Sequence, residues 1–174
     1  MYPIDRLKGL QLNNPNVDEA TGFRQMETVS AILQRFGELP GVILADEVGM
    51  GKTFVALGVA ASIAFSDATT EPVVIMVPSG LMGKWPTDLN AFKAHCLPEH
   101  LQDKLRSASA NNVLEFLKLL DDPQEKKAHI IFLKHGAISA TRSDRWIKLA
   151  VMRRALKRRR NLDELNKSLD RFLP

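Results

Sequence analysis

The chain has 174 residues and a formal net charge of +4, with 45% hydrophobic and 25% charged residues. These values suit one folded domain and exclude a disordered or collagen-like chain. No stretch approaches the roughly 18 apolar residues needed to span a bilayer, and the start of the chain lacks signal-peptide features. The single cysteine, Cys96, excludes an internal disulfide, and with His95 and His100 it offers too few ligands for zinc. We therefore expect an intracellular, cytoplasmic protein in which Cys96 is a packed thiol.

Hydrophobic periodicity predicts helices and strands that alternate along the chain. A turn at residues 13–16 precedes an amphipathic helix, whose apolar positions recur at three- and four-residue steps from Phe23 to Phe36. Continuous apolar runs predict buried strands at 41–45, 73–77 and 129–133. Further helices are expected at 51–65, 81–94 and 113–120, and a loop at 121–127. This alternation implies parallel crossovers, so the predicted class is α/β, with a parallel sheet flanked by helices.

The last part of the chain is strongly basic. Between Arg142 and Arg160, nine cations stand against one anion, Asp144, which leaves a net charge of −4 for the rest of the chain. Helical spacing of apolar residues predicts a long basic helix here and a final helix from Leu162 to Phe172. A block of this kind suits nucleic-acid phosphates, and a solvated helix face is the alternative.

A glycine-rich motif lies between the first predicted strand and the helix after it. The string DEVGMGKT occupies residues 46–53. Gly49 and Gly51 permit a tight turn whose backbone N–H groups aim at a β-phosphate. Lys52 supplies positive charge to the β- and γ-phosphates, and the Thr53 hydroxyl can ligate Mg²⁺. The pattern predicts nucleotide binding, with a purely structural turn as the alternative.

The longer string ILADEVGMGKT, residues 43–53, closely resembles motif I of Swi/Snf-like superfamily-two helicases, usually ILADEMGLGKT. Asp46 stands where the general P-loop pattern has its first glycine, and Val48 and Met50 are conservative departures from the family form. The resemblance implies part of a RecA-like lobe in an ATP-driven nucleic-acid motor, with ATP and Mg²⁺ as cofactors. Lys52 and Thr53 would be its catalytic residues, with Thr53 also the metal ligand. The nucleotide contacts that it implies are Gln25, Glu47, Val48, Gly49, Met50, Gly51, Lys52 and Thr53.

Two flanking segments are also similar to that family. Phe23-Arg24-Gln25 corresponds to an aromatic-x-Gln element, in which Gln25 would contact adenine. Phe23 could stack on the base or pack in the core, and core packing is the favoured interpretation. Downstream, residues 74–85, VIMVPSGLMGKW, resemble motif Ia, whose implied role is to hold a nucleic-acid backbone, here expected to be double-stranded DNA. The expected nucleic-acid contacts are Pro78, Ser79, Lys84, Arg153, Arg154 and Arg158, whereas Trp85 is expected to lock its helix onto the sheet.

Other family elements are missing from the sequence. Lys134 and His135 follow the third predicted strand where the family often has a Thr-Tyr pair, so a nucleic-acid role there has little support. No apolar strand ends in Asp-Glu-x-His, the element that would hold Mg²⁺ and orient the attacking water. The Asp-Glu pairs at 18–19 and 163–164 follow no apolar strand, and the pair at 46–47 belongs to the phosphate loop. The chain alone is therefore expected to bind ATP weakly and to hydrolyse it poorly.

Three functional hypotheses follow. The first is part of a DNA-dependent ATPase or helicase, in which residues 1–140 form a partial ATP-binding lobe and residues 141–174 a basic helical insertion or truncated continuation. A second chain could then supply the rest of the motor. The second hypothesis is a non-catalytic nucleotide- or nucleic-acid-binding module. The third, an unrelated P-loop NTPase, is disfavoured by the motif Ia resemblance.

Overall fold

The computed structural model describes residues 4–12, 17–45, 49–66 and 69–138. Within these ranges the chain folds into helices and strands that alternate broadly as the periodicity predicts. In chain order they are α1 (Glu19–Glu38), α2 (Lys52–Ala64), β1 (Val73–Val77), a short 3-10 helix (Ser79–Leu81), α3 (Lys84–Cys96), α4 (Glu99–Gln102), β2 (Ser107–Ala110), α5 (Val113–Asp121) and β3 (Ile130–Lys134).

The described strands form one parallel sheet in the order β1-β3-β2. The central strand, β3, places Phe132 opposite Ile75 of β1 and Ser109 of β2. Residues 130–133 are all buried, as expected for a central strand that is covered on both faces. The predicted α/β class, a parallel sheet flanked by helices, is thereby confirmed, and it corresponds to part of a RecA-like lobe.

Alternate residues of β3 face two separate parts of the core. Ile130 and Phe132 belong to the larger hydrophobic cluster, which also contains the buried residues of α1, α2 and α3. Ile131 and Leu133 belong to the smaller cluster, against which Phe116 of α5 packs. The helix that follows the glycine-rich motif is therefore held on one face of the sheet.

Two helices begin at side-chain caps. The carboxylate of Asp18 accepts a hydrogen bond from the N–H of Thr21 at 2.9 Å, and the bonds from Thr21 hold the pKa of Asp18 below its usual value. At the start of α5, Asn112 accepts from the N–H of Glu115, whose carboxylate accepts from the N–H of Asn111 at 2.7 Å. This reciprocal arrangement fixes the start of α5. Asp18 is thus the N-cap of α1.

The segment at residues 4–12 ties helices together, although it shows no periodic pattern in the sequence. The N–H of Leu7 donates to the hydroxyl of Ser62 in α2 at 3.1 Å. The N–H of Gln11 donates to the carbonyl of Cys96, at the end of α3, at 3.0 Å. Leu12 is buried in the larger cluster. The segment therefore contributes directly to the packing of α2 and α3.

The strand predicted at 41–45 is wrong. These residues are irregular, and Ile43 is 93% exposed. A strand forms only when a neighbour pairs with its backbone, and no strand of the described sheet pairs with this segment. Its composition suits a strand, but the described residues provide no partner for it.

The sequence-based prediction also missed β2 and the short helix α4. The residues of β2 are Ser-Ala-Ser-Ala, which have weak strand propensity and no large apolar side chain to mark them. Pairing with β3 makes this segment a strand. The predicted turn at 13–16, the basic helix at 142–160 and the final helix at 162–172 lie outside the described residues. None of the helices in the described part of the chain is long and apolar enough to cross a membrane.

Candidate nucleotide-binding site

The glycine-rich motif leads directly into α2. Gly49 and Gly51 have φ values of +92° and +77°, in the left-handed region that favours glycine. Gly51 is also the N-cap residue of α2. The two glycines thus let the chain turn sharply into the helix. Residues 46–48, which include the predicted contacts Glu47 and Val48, lie outside the described residues.

The start of α2 has the features of an anion site. The N–H groups of Phe54 and Val55 donate back to the carbonyl of Gly51, at 2.9 and 3.2 Å, and so belong to the helix ladder. The preceding N–H groups have no acceptor within the helix, and the helix dipole makes this end positive. The first turn has no side-chain cap and no acidic residue. Nothing on this turn therefore opposes a bound phosphate.

Lys52 and Thr53 occupy the first two positions of α2, and both are half-buried. A lysine at the positive end of a helix is electrostatically unfavourable for the helix itself. Helix stability alone therefore does not explain its position. The roles predicted for these two residues remain predictions.

Gln25 of α1 contacts the glycine-rich motif. Its side chain is 5% exposed, and its Nε2 donates to the carbonyl of Met50 at 3.2 Å. A Cβ added to Gly51 would lie 2.2 Å from that Nε2, so Gly51 allows the amide to sit against the loop. The adenine contact predicted for Gln25 remains a prediction, and the contact with the loop is an additional role that motif reasoning missed.

Phe23 is 63% exposed, so the core packing favoured for it from the sequence is wrong. The inward face of α1 is instead made by Val29 and Leu33, which are buried, and by Gln25. Phe23 lies two residues before Gln25 and does not share that face. Its ring is available to a ligand, although stacking on a base remains a prediction.

The predicted motif Ia residues lie just beyond the carboxyl end of β1. Pro78 and Ser79 are exposed at the start of the 3-10 helix. Lys84 begins α3, is largely exposed, and pairs with Asp88 one turn later. Trp85 packs against Phe132 of the central strand with ring centroids 6.1 Å apart, which confirms that it locks α3 onto the sheet. The expected contacts Arg153, Arg154 and Arg158 lie outside the described residues.

Cys96 is a packed thiol, as expected. It is buried at the end of α3, and burial raises the pKa of the thiol to about 12. The thiol therefore stays protonated, and unreactive, at neutral pH.

The parallel sheet, the flanking helices and the glycine-rich entry to α2 define part of a RecA-like P-loop lobe. The family model of the SNF2-related domain matches residues 24–113, just over half of the 174 residues. The chain therefore belongs to the SNF2-related family, that of Swi/Snf-like superfamily-two helicases. The match includes Gln25, the glycine-rich motif and residues 74–85, the three segments that carry the resemblance. Comparison with individual curated proteins finds none that matches the chain significantly.

Proposed function

We propose that the chain binds ATP with Mg²⁺ at the start of α2 and forms the ATP-binding part of a DNA-dependent ATPase or translocase. The observation that carries this proposal is Gly51, left-handed at the N-cap of a helix whose first residues are Lys52 and Thr53. Family membership supports it, because Swi/Snf-like proteins generally act on nucleic acid with ATP.

The residues present suit a bound triphosphate. The uncapped helix start and the missing Cβ atoms of Gly49 and Gly51 give a phosphate close access to backbone N–H groups. Lys52 would neutralise charge on the β- and γ-phosphates, and the Thr53 hydroxyl would ligate Mg²⁺. Gln25 would hold the carbonyl of Met50, so that the loop keeps its shape when the nucleotide is absent. The metal, when bound, stabilises negative charge on the phosphates.

We further propose that the chain is not catalytically complete alone. The sequence has no Asp-Glu-x-His after an apolar strand. Among the described residues no strand pairs with the outer edge of β1, and this supports the same view. The backbone N–H of Val73 and the backbone carbonyl of Val77 form hydrogen bonds on the side of β1 that faces β3. Backbone groups alternate in direction along a strand, so those of Val74 and Met76 point to the opposite edge of β1. The side chains of Val74 and Met76 are exposed, as is Ile43. An edge of this kind suits a further strand, which a second chain could supply.

A non-catalytic binding module is the second candidate. The basic block at 142–160 favours it, because a cationic segment binds nucleic-acid phosphates without any hydrolysis. In this view residues 141–174 are a basic segment distinct from the lobe at 1–140.

Calorimetry with a non-hydrolysable ATP analogue and Mg²⁺, combined with a turnover assay, tests the proposed function. We expect saturable binding and turnover at least about a thousandfold below that of a complete motor, because the groups that orient water and stabilise charge are missing. Absence of binding would refute the nucleotide site. Rapid turnover by the purified chain would refute its incompleteness.

Salt dependence tests the nucleic-acid role. Affinity for double-stranded DNA should fall steeply between 50 and 200 mM salt, by about tenfold or more, if several phosphates are contacted. Replacing Arg153, Arg154 and Arg158 together by alanine should weaken binding further and reduce the slope. Replacing three exposed cations at Lys8, Lys104 and Lys126 is the control for total charge. Equal effects of the two triple variants would favour a merely solvated basic face.

A further inference from the structure

A polar cavity of about 150 Å³ lies at the end of the sheet opposite the glycine-rich motif. Its walls come from the end of α2, the segment before β1, and the residues that precede β2 and β3. Because α2 rises about 1.5 Å per residue, its 13 residues place this cavity roughly 20 Å from Lys52. The cavity is therefore separate from the proposed nucleotide site.

Three residues that carry hydrogen-bond donors, Arg106, Lys127 and His129, line this cavity. Arg106 is held in the wall by its Nε, which donates to the carbonyl of Lys127 at 3.0 Å. The backbone N–H of Arg106 donates to Nδ1 of His129 at 3.1 Å. In neutral His129 the proton must then lie on Nε2, which becomes a donor. Burial, and secondly the charge of Arg106, lower the pKa of His129 below its usual value, and Phe65 packs on its ring at 5.7 Å.

The cavity already holds an anionic group of the chain itself. The Nζ of Lys127 pairs with the carboxylate of Glu71 at 2.8 Å. The lysine side chain is only 11% exposed, whereas that of Glu71 is 43% exposed. The cation is thus built into the wall, while the carboxylate reaches it from the solvent side. An oxyanion that enters from solvent would compete with this carboxylate for Lys127.

We propose that the cavity formed by Arg106, Lys127 and His129 binds a phosphate-sized oxyanion, which displaces Glu71 from Lys127. Lys127 would supply charge, Arg106 a guanidinium donor and His129 its Nε2 proton. A water needs only about 10–15 Å³ of such space, so the volume accommodates a larger ion. Arg106 and Lys127 against Glu71 leave one net positive charge around neutral His129, which favours an anion. This inference does not depend on the proposed nucleotide site.

Titration of the full chain with inorganic phosphate, followed by NMR, tests the inference. The ring signals of His129 report on the cavity, and the Gly51 amide reports separately on the glycine-rich motif. We expect a saturable shift at His129. Lys127→Met should weaken that binding by about tenfold or more, since a charged hydrogen bond is lost. Lys126→Met removes the same charge from an exposed neighbour outside the cavity and should change it less than about twofold.

Glu71→Gln provides a second variant that leaves the core intact, because Glu71 is an exposed side chain. It removes the competing carboxylate, so phosphate should bind several-fold more tightly. Weaker binding of glycerol phosphate than of phosphate would identify a free ion as the ligand, and equal binding would identify a phosphate monoester. No saturable shift at His129, equal effects of Lys126→Met and Lys127→Met, or no gain in affinity with Glu71→Gln would overturn the proposal.

Discussion

Lys52→Ala should abolish measurable binding of an ATP analogue, a loss of roughly 100-fold or more in affinity. The ammonium group stands at the first position of α2, where the proposed β- and γ-phosphates would meet it. Isothermal titration calorimetry with Mg²⁺ present measures the change directly.

The stability of the free Lys52→Ala variant distinguishes loss of the phosphate contact from unfolding of the chain. Alanine is a strong helix former, and a cation at a helix N-terminus is unfavourable for the helix, so the free variant should remain folded, which its unfolding in urea measures. Lys104→Ala removes the same charge from an exposed turn and should leave nucleotide affinity unchanged. Unaltered affinity in Lys52→Ala, or an equal loss in Lys104→Ala, would exclude the phosphate site at α2.

The parts of the fold that depend on local pattern could be predicted from the sequence. The amphipathic spacing in α1 and the apolar run of β3 match buried positions, whereas β1 is a strand as predicted but exposes Val74 and Met76 on one face. The parts that depend on a partner strand could not be predicted in this way. The β2 segment is a strand only because β3 pairs with it, whereas residues 41–45 have strand composition and no described partner. Strand formation depends on pairing within the sheet, and the composition of one segment does not determine it.

The same distinction applies to the site. The place of Gly49, Gly51 and Lys52 at the turn into α2 could be predicted from spacing, because a phosphate loop requires glycines and a lysine at fixed positions in one short segment, and their phosphate contacts remain predictions. The contact between Gln25 and Met50 joins residues 25 positions apart and depends on how α1 packs on α2. The cavity at Arg106 and His129 likewise assembles from separate loops, and no pattern in the sequence marks it.

Gly51→Ala should destabilise the chain more than Gly49→Ala, although both place alanine in the left-handed region. That conformation costs each variant about 1–2 kcal/mol. Only at Gly51 would the new Cβ meet the Nε2 of Gln25, at 2.2 Å, whereas no described atom lies within 4 Å at Gly49. The amide must then move and lose its bond to Met50, which adds about 1–2 kcal/mol. Urea unfolding of the two variants measures the difference.

Gln25→Ala tests whether the side chain of Gln25 causes the extra destabilisation expected for Gly51→Ala. If the side chain of Gln25 is what Gly51 accommodates, the extra cost of Gly51→Ala should disappear in the Gln25→Ala background, leaving only the backbone cost seen at Gly49. The expected coupling energy is about 1–2 kcal/mol, as found for residues in direct contact. Measuring ATP-analogue affinity for the wild type, the two single variants and the double variant would show whether the Gln25 amide holds the loop in a conformation that binds phosphate. Additive effects of the two substitutions would mean that Gln25 does not support the loop, and that Gly51 is required only for its backbone conformation.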